Sequence, residues 1–102
     1  MDNKFEAVFI IKELEDSKLI DNTISKINKV IKQNKCKITA YQKLGVRKIV
    51  SPIYGQKDGF YYYINFEPND SLRIDNLENK IKRNINTIKQ VIMCVIVEME
   101  ND

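Results

Sequence analysis

Apolar and polar positions alternate from Phe5 to Ile11, with Phe5, Ala7, Phe9 and Ile11 on one parity and Glu6, Val8 and Ile10 on the other. A period of two predicts a strand, and a central one, because both of its faces are largely apolar. From Ser17 to Asn34 the period lengthens. Ile20, Ile24, Ile27 and Ile31 recur at i, i+4, i+7 and i+11 with polar residues between them, the signature of one amphipathic helix. Asp16 or Ser17 is the expected N-cap, and Asn34 the expected left-handed exit. Cys36 to Ile53 reads as a long strand whose alternation breaks at Leu44–Gly45–Val46, the mark of a bulge or bend, and Pro52 makes its end an edge or a turn. Tyr54 to Gly59 carries hairpin-loop chemistry, with Asp58–Gly59 as its clearest turn element. Phe60 to Phe66 is the strongest strand signal. Pro68 to Ser71 ends it and caps a second helix, on which Ile74, Leu77 and Ile81 fall at i, i+3 and i+7. Val91 to Met99 forms the last strand.

The order β-α-β-β-α-β predicts an α+β fold of the ferredoxin-like, split βαβ kind: a four-stranded antiparallel sheet with two helices on one face. The expected core is Ile24, Ile27, Ile31, Ile74, Leu77 and Ile81 packed under Phe9, Tyr62 and Ile64. With both helices on one side, the other face of the sheet is left for solvent or a partner. On the strand 60–66 the more apolar parity (Phe60, Tyr62, Ile64, Phe66) should face the helices, which puts Tyr61, Tyr63 and Asn65 on the open face. Tyrosine is also simply a good strand residue with a wettable hydroxyl.

Length and composition narrow the chemistry. The 102 residues, 43% hydrophobic and 30% charged, fit one folded domain over 1–102, with a short acidic end from about 98 (Glu98, Glu100, Asp102). There is no His, so His-based triads, imidazole metal ligands and imidazole general bases are excluded. Cys36 and Cys94 cannot close an all-thiolate tetrahedral site within one chain, and neither has a His to activate it as a nucleophile. Gly45 with Arg47 lies in a strand-like stretch without the glycine nest a phosphate loop needs. Glu13, Glu15 and Asp16 read as a solvated face or cap. No catalytic constellation, metal site, cofactor or small-molecule substrate is expected.

Seventeen Lys and Arg against fourteen Asp and Glu give a net charge of +3, which permits polyanion binding without demonstrating it. The excess is local: Lys80, Lys82, Arg83 and Lys89 meet no acid between Asn79 and Gln90. Richness in Ile, Asn and Lys looks like AT-biased codon usage, which also raises the lysine count. The polar opening Met1–Glu6 does not read as a signal peptide, and the longest apolar run, Val91–Val97, is far short of a membrane span. An intracellular place with reduced thiols is expected, and a Cys36–Cys94 disulfide only if the fold brings the two together.

Gly59-Phe60-Tyr61-Tyr62 resembles the aromatic third strand of RNA-recognition motifs, but Tyr61 stands where a small residue belongs and Asn65 where the last aromatic does. A different resemblance covers residues 4 to 98. Lys4-Phe5-Glu6-Ala7-Val8-Phe9-Ile10-Ile11 is similar to the opening strand of the bacterial small-subunit ribosomal protein six family. Leu44-Gly45-Val46-Arg47-Lys48-Ile49-Val50-Ser51-Pro52-Ile53, followed by Gly59-Phe60-Tyr61-Tyr62-Tyr63-Ile64-Asn65-Phe66-Glu67, resembles that family's most distinctive block. The stretch from Leu77-Glu78 through Ile88-Lys89-Gln90 and the valine-rich strand resembles it without gaps.

The resemblance implies a structural, RNA-binding ribosomal protein on the central domain of the small-subunit ribosomal RNA, paired with ribosomal protein eighteen, in the cytoplasm or on an organellar ribosome. It implies RNA contacts at Lys82, Lys89, Arg83 and Lys4. It implies partner contacts at Tyr61, Tyr63, Asn65, Val8, Arg47 and Lys48, through the open face and strand ends, with both helices clear of the RNA. The chain departs from the family pattern at Asp2-Asn3, Ser51, Cys94 and Asn84-Ile85-Asn86. The competing function class is a stand-alone ferredoxin-like regulatory or protein-interaction module.

Overall fold

The computed structural model describes residues 4–13, 16–51, 55–71 and 75–99. The opening period-two run is strand β1 (Lys4–Lys12), paired antiparallel with strands on both sides. Among the described residues one four-stranded sheet forms, in the order β2-β3-β1-β4, with β2 at Cys36–Ser51, β3 at Gly55–Pro68 and β4 at Val91–Met99. Helices α1 (Ser17–Gln33) and α2 (Leu77–Ile85) complete the β-α-β-β-α-β order. The central place of β1 follows from its composition: Phe5, Ala7, Phe9 and Ile11 are buried towards the helices, and Ile10 is buried on the other face as well.

The N-cap of α1 is Asp16, whose side chain accepts from the Lys18 backbone N–H at 2.9 Å. The helix buries Ile20, Ile24, Ile27, Val30 and Ile31, together with Thr23, whose hydroxyl donates to the Leu19 carbonyl at 2.8 Å. Lys35 (φ 61°), not Asn34 (φ −90°), makes the left-handed exit. Asn34 is engaged otherwise. Its amide donates to the Val30 carbonyl at 2.8 Å and to Asn84 Oδ1 at 3.4 Å, tying the end of α1 to α2.

Strand β2 contains two bulges, where its register against β3 slips between Ile38 and Ala40 and again between Lys43 and Gly45. Gly45 takes φ +84°, a left-handed conformation that glycine adopts without penalty, so the sequence break at 44–46 is a bulge. The turn expected at Asp58–Gly59 is not there. Gly59 pairs with Arg47 and Asp58 with Lys48, and the ladder continues to Ser51 opposite Gly55. Local turn propensity has yielded to continued β2–β3 pairing. The rest of the predicted 54–59 loop chemistry is ladder too from Gly55 onward, while Pro52, Ile53 and Tyr54 lie outside the described residues. The second helix also starts later than its predicted cap. Asn69–Ser71 forms a single 3-10 turn, and α2 begins at Leu77 after Asn76 at φ 57°. Ile74 lies outside the described residues.

The core between sheet and helices holds Ile24, Ile27, Ile31, Leu77, Ile81, Phe9, Tyr62 and Ile64, all buried, with Phe66, Ile85 and Ile96 added. Phe5 stacks on Phe66 at 5.2 Å between ring centroids, and Phe9 lies 6.1 Å from Tyr62. Tyr62 can sit at this depth because its hydroxyl donates to Asn28 Oδ1 on α1 at 2.8 Å. No helix among the described residues is long and apolar enough to cross a membrane.

Candidate functional site

The face of the sheet away from the helices is built by register. Val8 lies between Tyr63 and Val95, Glu6 between Asn65 and Val97, and Ile10 between Tyr61 and Met93. Tyr61, Tyr63, Asn65 and Val8, singled out from the sequence, therefore meet on one surface, each half-buried. Tyr63 donates to Asn65 Oδ1 at 2.7 Å. Its hydroxyl is held above the usual tyrosine pKa by burial first, then by its hydrogen bond to Glu6 and that carboxylate's charge, with Asn65 pulling the other way. Charge and aromatic polarity occupy the β3 half of this face.

The β4 half is apolar. Val95, Val97 and Met99 are 46%, 54% and 37% exposed on an edge strand. Sequence reasoning misses them: the parity they share is visible, but it acquires meaning only once Val95 is known to pair with Val8 and β4 to be an edge. The Arg47–Lys48 pair divides. Arg47, opposite Gly59, shares the parity of Tyr61 on the open face, and Lys48, opposite Asp58, points to the reverse.

The basic residues of the α2 region lie on that helix, Lys82 and Arg83, and in the connection after it, Lys89. Lys82 is half-buried on α2 beside Cys94, which faces the helices opposite Phe9. Burial pushes the Cys94 thiol up to about 11, although the Lys82 charge pulls it down. Arg83 and Lys89 are exposed. Lys89 lines a groove with Lys26 and Lys29 of α1, floored by Val30 and Ile88. Lys4 stands apart. It pairs with Met99 at the far end of β4, while the Lys12 N–H donates to the Gln90 carbonyl at 2.7 Å, so the two ends of β1 are roughly 26 Å apart at ordinary strand rise. Cys36 is buried, and its thiol is raised to about 11 by that burial. Both cysteines are free and sit on opposite edge strands, which rules out their pairing, and neither carries the lowered pKa of a nucleophile.

This fold and face can be set beside known proteins. The family described as Ribosomal protein S6 matches residues 4–94, from the first residue of β1 into β4. The chain belongs to the ribosomal protein S6 family. Among its curated relatives, the small ribosomal subunit protein bS6 of Azobacteroides pseudotrichonymphae genomovar. CFP2 is 30% identical over 79% of this chain and 71% of that protein. The bS6 protein of Rickettsia prowazekii (strain Madrid E) is 31% identical over 83% and 69%. A crystal structure of 30S ribosomal protein S6 from Thermotoga maritima superposes with a TM-score of 0.79 at 19% identity, covering 97% of this chain and 89% of that one. That likeness speaks for the fold. Membership of the S6 family rests on the match along the sequence, which takes in the Leu44–Ile53 block and the aromatic strand after it.

Proposed function

We propose that the chain is a structural constituent of the small ribosomal subunit, which binds the central domain of the small-subunit ribosomal RNA together with ribosomal protein eighteen. The observation that carries this reading is the S6 family match across residues 4–94. The geometry supplies two surfaces suited to two partners. The open face, with Tyr61, Tyr63, Asn65 and Val8 beside the exposed valines of β4, has the mixed apolar and aromatic character of a protein interface. Arg47 extends it along the β2–β3 arm, with Lys48 on the reverse. Lys82, Arg83 and Lys89 form the phosphate-binding group, and Lys4 adds a separate contact at the other end of β1.

Lysine meets phosphate as a point charge and reads no base, so these contacts position the protein without selecting a sequence. A net charge of +3 gives the isolated chain little affinity for RNA, and the partner's own positive surface supplies the rest. The test is a salt titration of binding to the central-domain RNA by wild type, Lys82→Ala and Lys89→Ala, each with and without ribosomal protein eighteen. Each substitution should reduce the slope of log affinity against log salt by about 1 in magnitude, and weaken all RNA sequences alike. Tight, salt-insensitive binding by the isolated wild type would refute the cooperative arrangement.

A further inference from the structure

Lys89 is sixty positions from Lys29 in the sequence, yet the fold sets both on one groove between the second half of α1 and the α2–β4 connection. The groove has a volume of about 370 Å³ and is lined by Lys26, Lys29 and Lys89 over a floor of Val30 and Ile88. No carboxylate lines it. The Thr87 hydroxyl at its rim is already committed, donating to the Asn84 carbonyl at 2.6 Å. The ion pairs among the described residues, Lys37–Glu67 and Lys43–Asp21, involve none of the three lysines. Helix α1 carries four lysines (18, 26, 29 and 32) against one acid, Asp21, and that acid is the one engaged by Lys43 on β2.

Neither helix electrostatics nor base composition accounts for where these charges lie. A lysine near a helix C-terminus complements the macrodipole, but that effect fades beyond the last turn. Lys32 lies in that turn, whereas Lys26 and Lys29 precede it. An AT-biased coding sequence raises the number of lysines, and of asparagines with them, but does not choose which residues converge on a groove. Three like charges around one concavity repel each other until an anion enters. The lining contains no aromatic residue, which disfavours a stacked base and leaves the sugar–phosphate backbone as the group that fits.

We propose that this groove seats the backbone of the small-subunit ribosomal RNA, with Lys26 and Lys29 joining Lys89 on its phosphates. The contact then runs from the entry to β4 onto the helix layer, which the family resemblance had left clear of RNA. This inference rests on the reading that the chain is an RNA-binding subunit protein, and the experiment separates the two.

Binding to the central-domain RNA in the presence of ribosomal protein eighteen is titrated with salt for wild type, the Lys26→Gln/Lys29→Gln double variant, Lys89→Ala, and Lys18→Gln as an α1 charge control. The double variant should lower the magnitude of the slope by about 1.5, while Lys18→Gln leaves it unchanged. In parallel, amine acetylation read by mass spectrometry should show Lys26 and Lys29 protected in the assembled complex and reactive in the free protein. An unchanged slope in the double variant, with Lys89→Ala still lowering it, would overturn the groove and leave the RNA-binding reading standing. So would a double variant that merely loses stability, since that assigns the lysines to the helix, or equal acetylation in both states. Absence of salt-dependent RNA binding by the wild type with its partner would remove both.

Discussion

Single side chains report how firmly this small core excludes charge. Cys36 is 2% exposed, and its thiol is pushed from an ordinary 9.0 to about 11 by burial. The unfolded chain therefore releases that proton first as the solution becomes alkaline, which favours unfolding. The stabilisation is complete below about pH 9 and disappears as the pH climbs through about 11, a loss on the order of 2–3 kcal/mol. Urea midpoints at about pH 8 and about pH 10.5 should fall further for wild type than for Cys36→Ala. An equal fall in both would show that Cys36 is not the group responsible. Tyr63 tests the other side of the sheet. Tyr63→Ser removes the hydroxyl that donates to Asn65 and half of the aromatic patch. If the proposed pairing with ribosomal protein eighteen uses this face, the substitution should weaken capture by tenfold or more, as the loss of an aromatic anchor does, and shift the denaturation midpoint little. Unfolding without a specific loss of capture would assign Tyr63 to folding and not to an interface.

Among the elements, β2 shows what a sequence pattern can and cannot announce. Gly45 interrupts the alternation visibly, because a left-handed residue favours glycine, and the register slip lies where the pattern breaks. An added Cβ there would meet no atom within 4 Å, so Gly45→Ala costs backbone strain alone, about 1–2 kcal/mol by chemical denaturation. Gly45→Asn should cost less, since asparagine visits that region more readily. The bulge at Thr39 left no such trace: threonine is an ordinary strand residue, and its hydroxyl bond to the Asn65 carbonyl, at 3.3 Å, exists only once β3 is alongside. Asp58–Gly59 misled in the opposite way, with turn residues that the β2–β3 ladder overrode. The helices were legible through their isoleucines, but the start of α2 was not, because Asn76 enters it at positive φ without a side-chain cap.

For the molecule as a whole, the buried isoleucines bind the two layers. Ile27 has no exposure, and Ile27→Ala should destabilise by about 2–4 kcal/mol through lost transfer energy and the cavity left behind. Against a domain stability of about 5–15 kcal/mol that is a large fraction, readable as a lowered urea midpoint with unchanged slope. An unmoved midpoint would show that Ile27 contributes little to holding the two layers together. The open-face half of the candidate site was readable because Tyr61, Tyr63 and Asn65 lie on one strand. The α1 lysines were not, because nothing local links Lys26 and Lys29 to Lys89. Only the crossover that returns the chain from α2 to β4 makes them neighbours.

One edge of the sheet also sets a ceiling on how much of this protein can exist alone. Strand β4 runs Val-Ile-Met-Cys-Val-Ile-Val from position 91 to 97 with no charge, proline or glycine, and presents Val95 and Val97 to solvent. Such a strand offers a ready template to another copy of itself, and that encounter grows with the square of concentration. In the role proposed for it, the unassembled chain is thus a perishable intermediate, whose solubility depends on how fast a covering surface arrives. Synthesis in excess of its assembly partners should end in aggregates seeded at this edge.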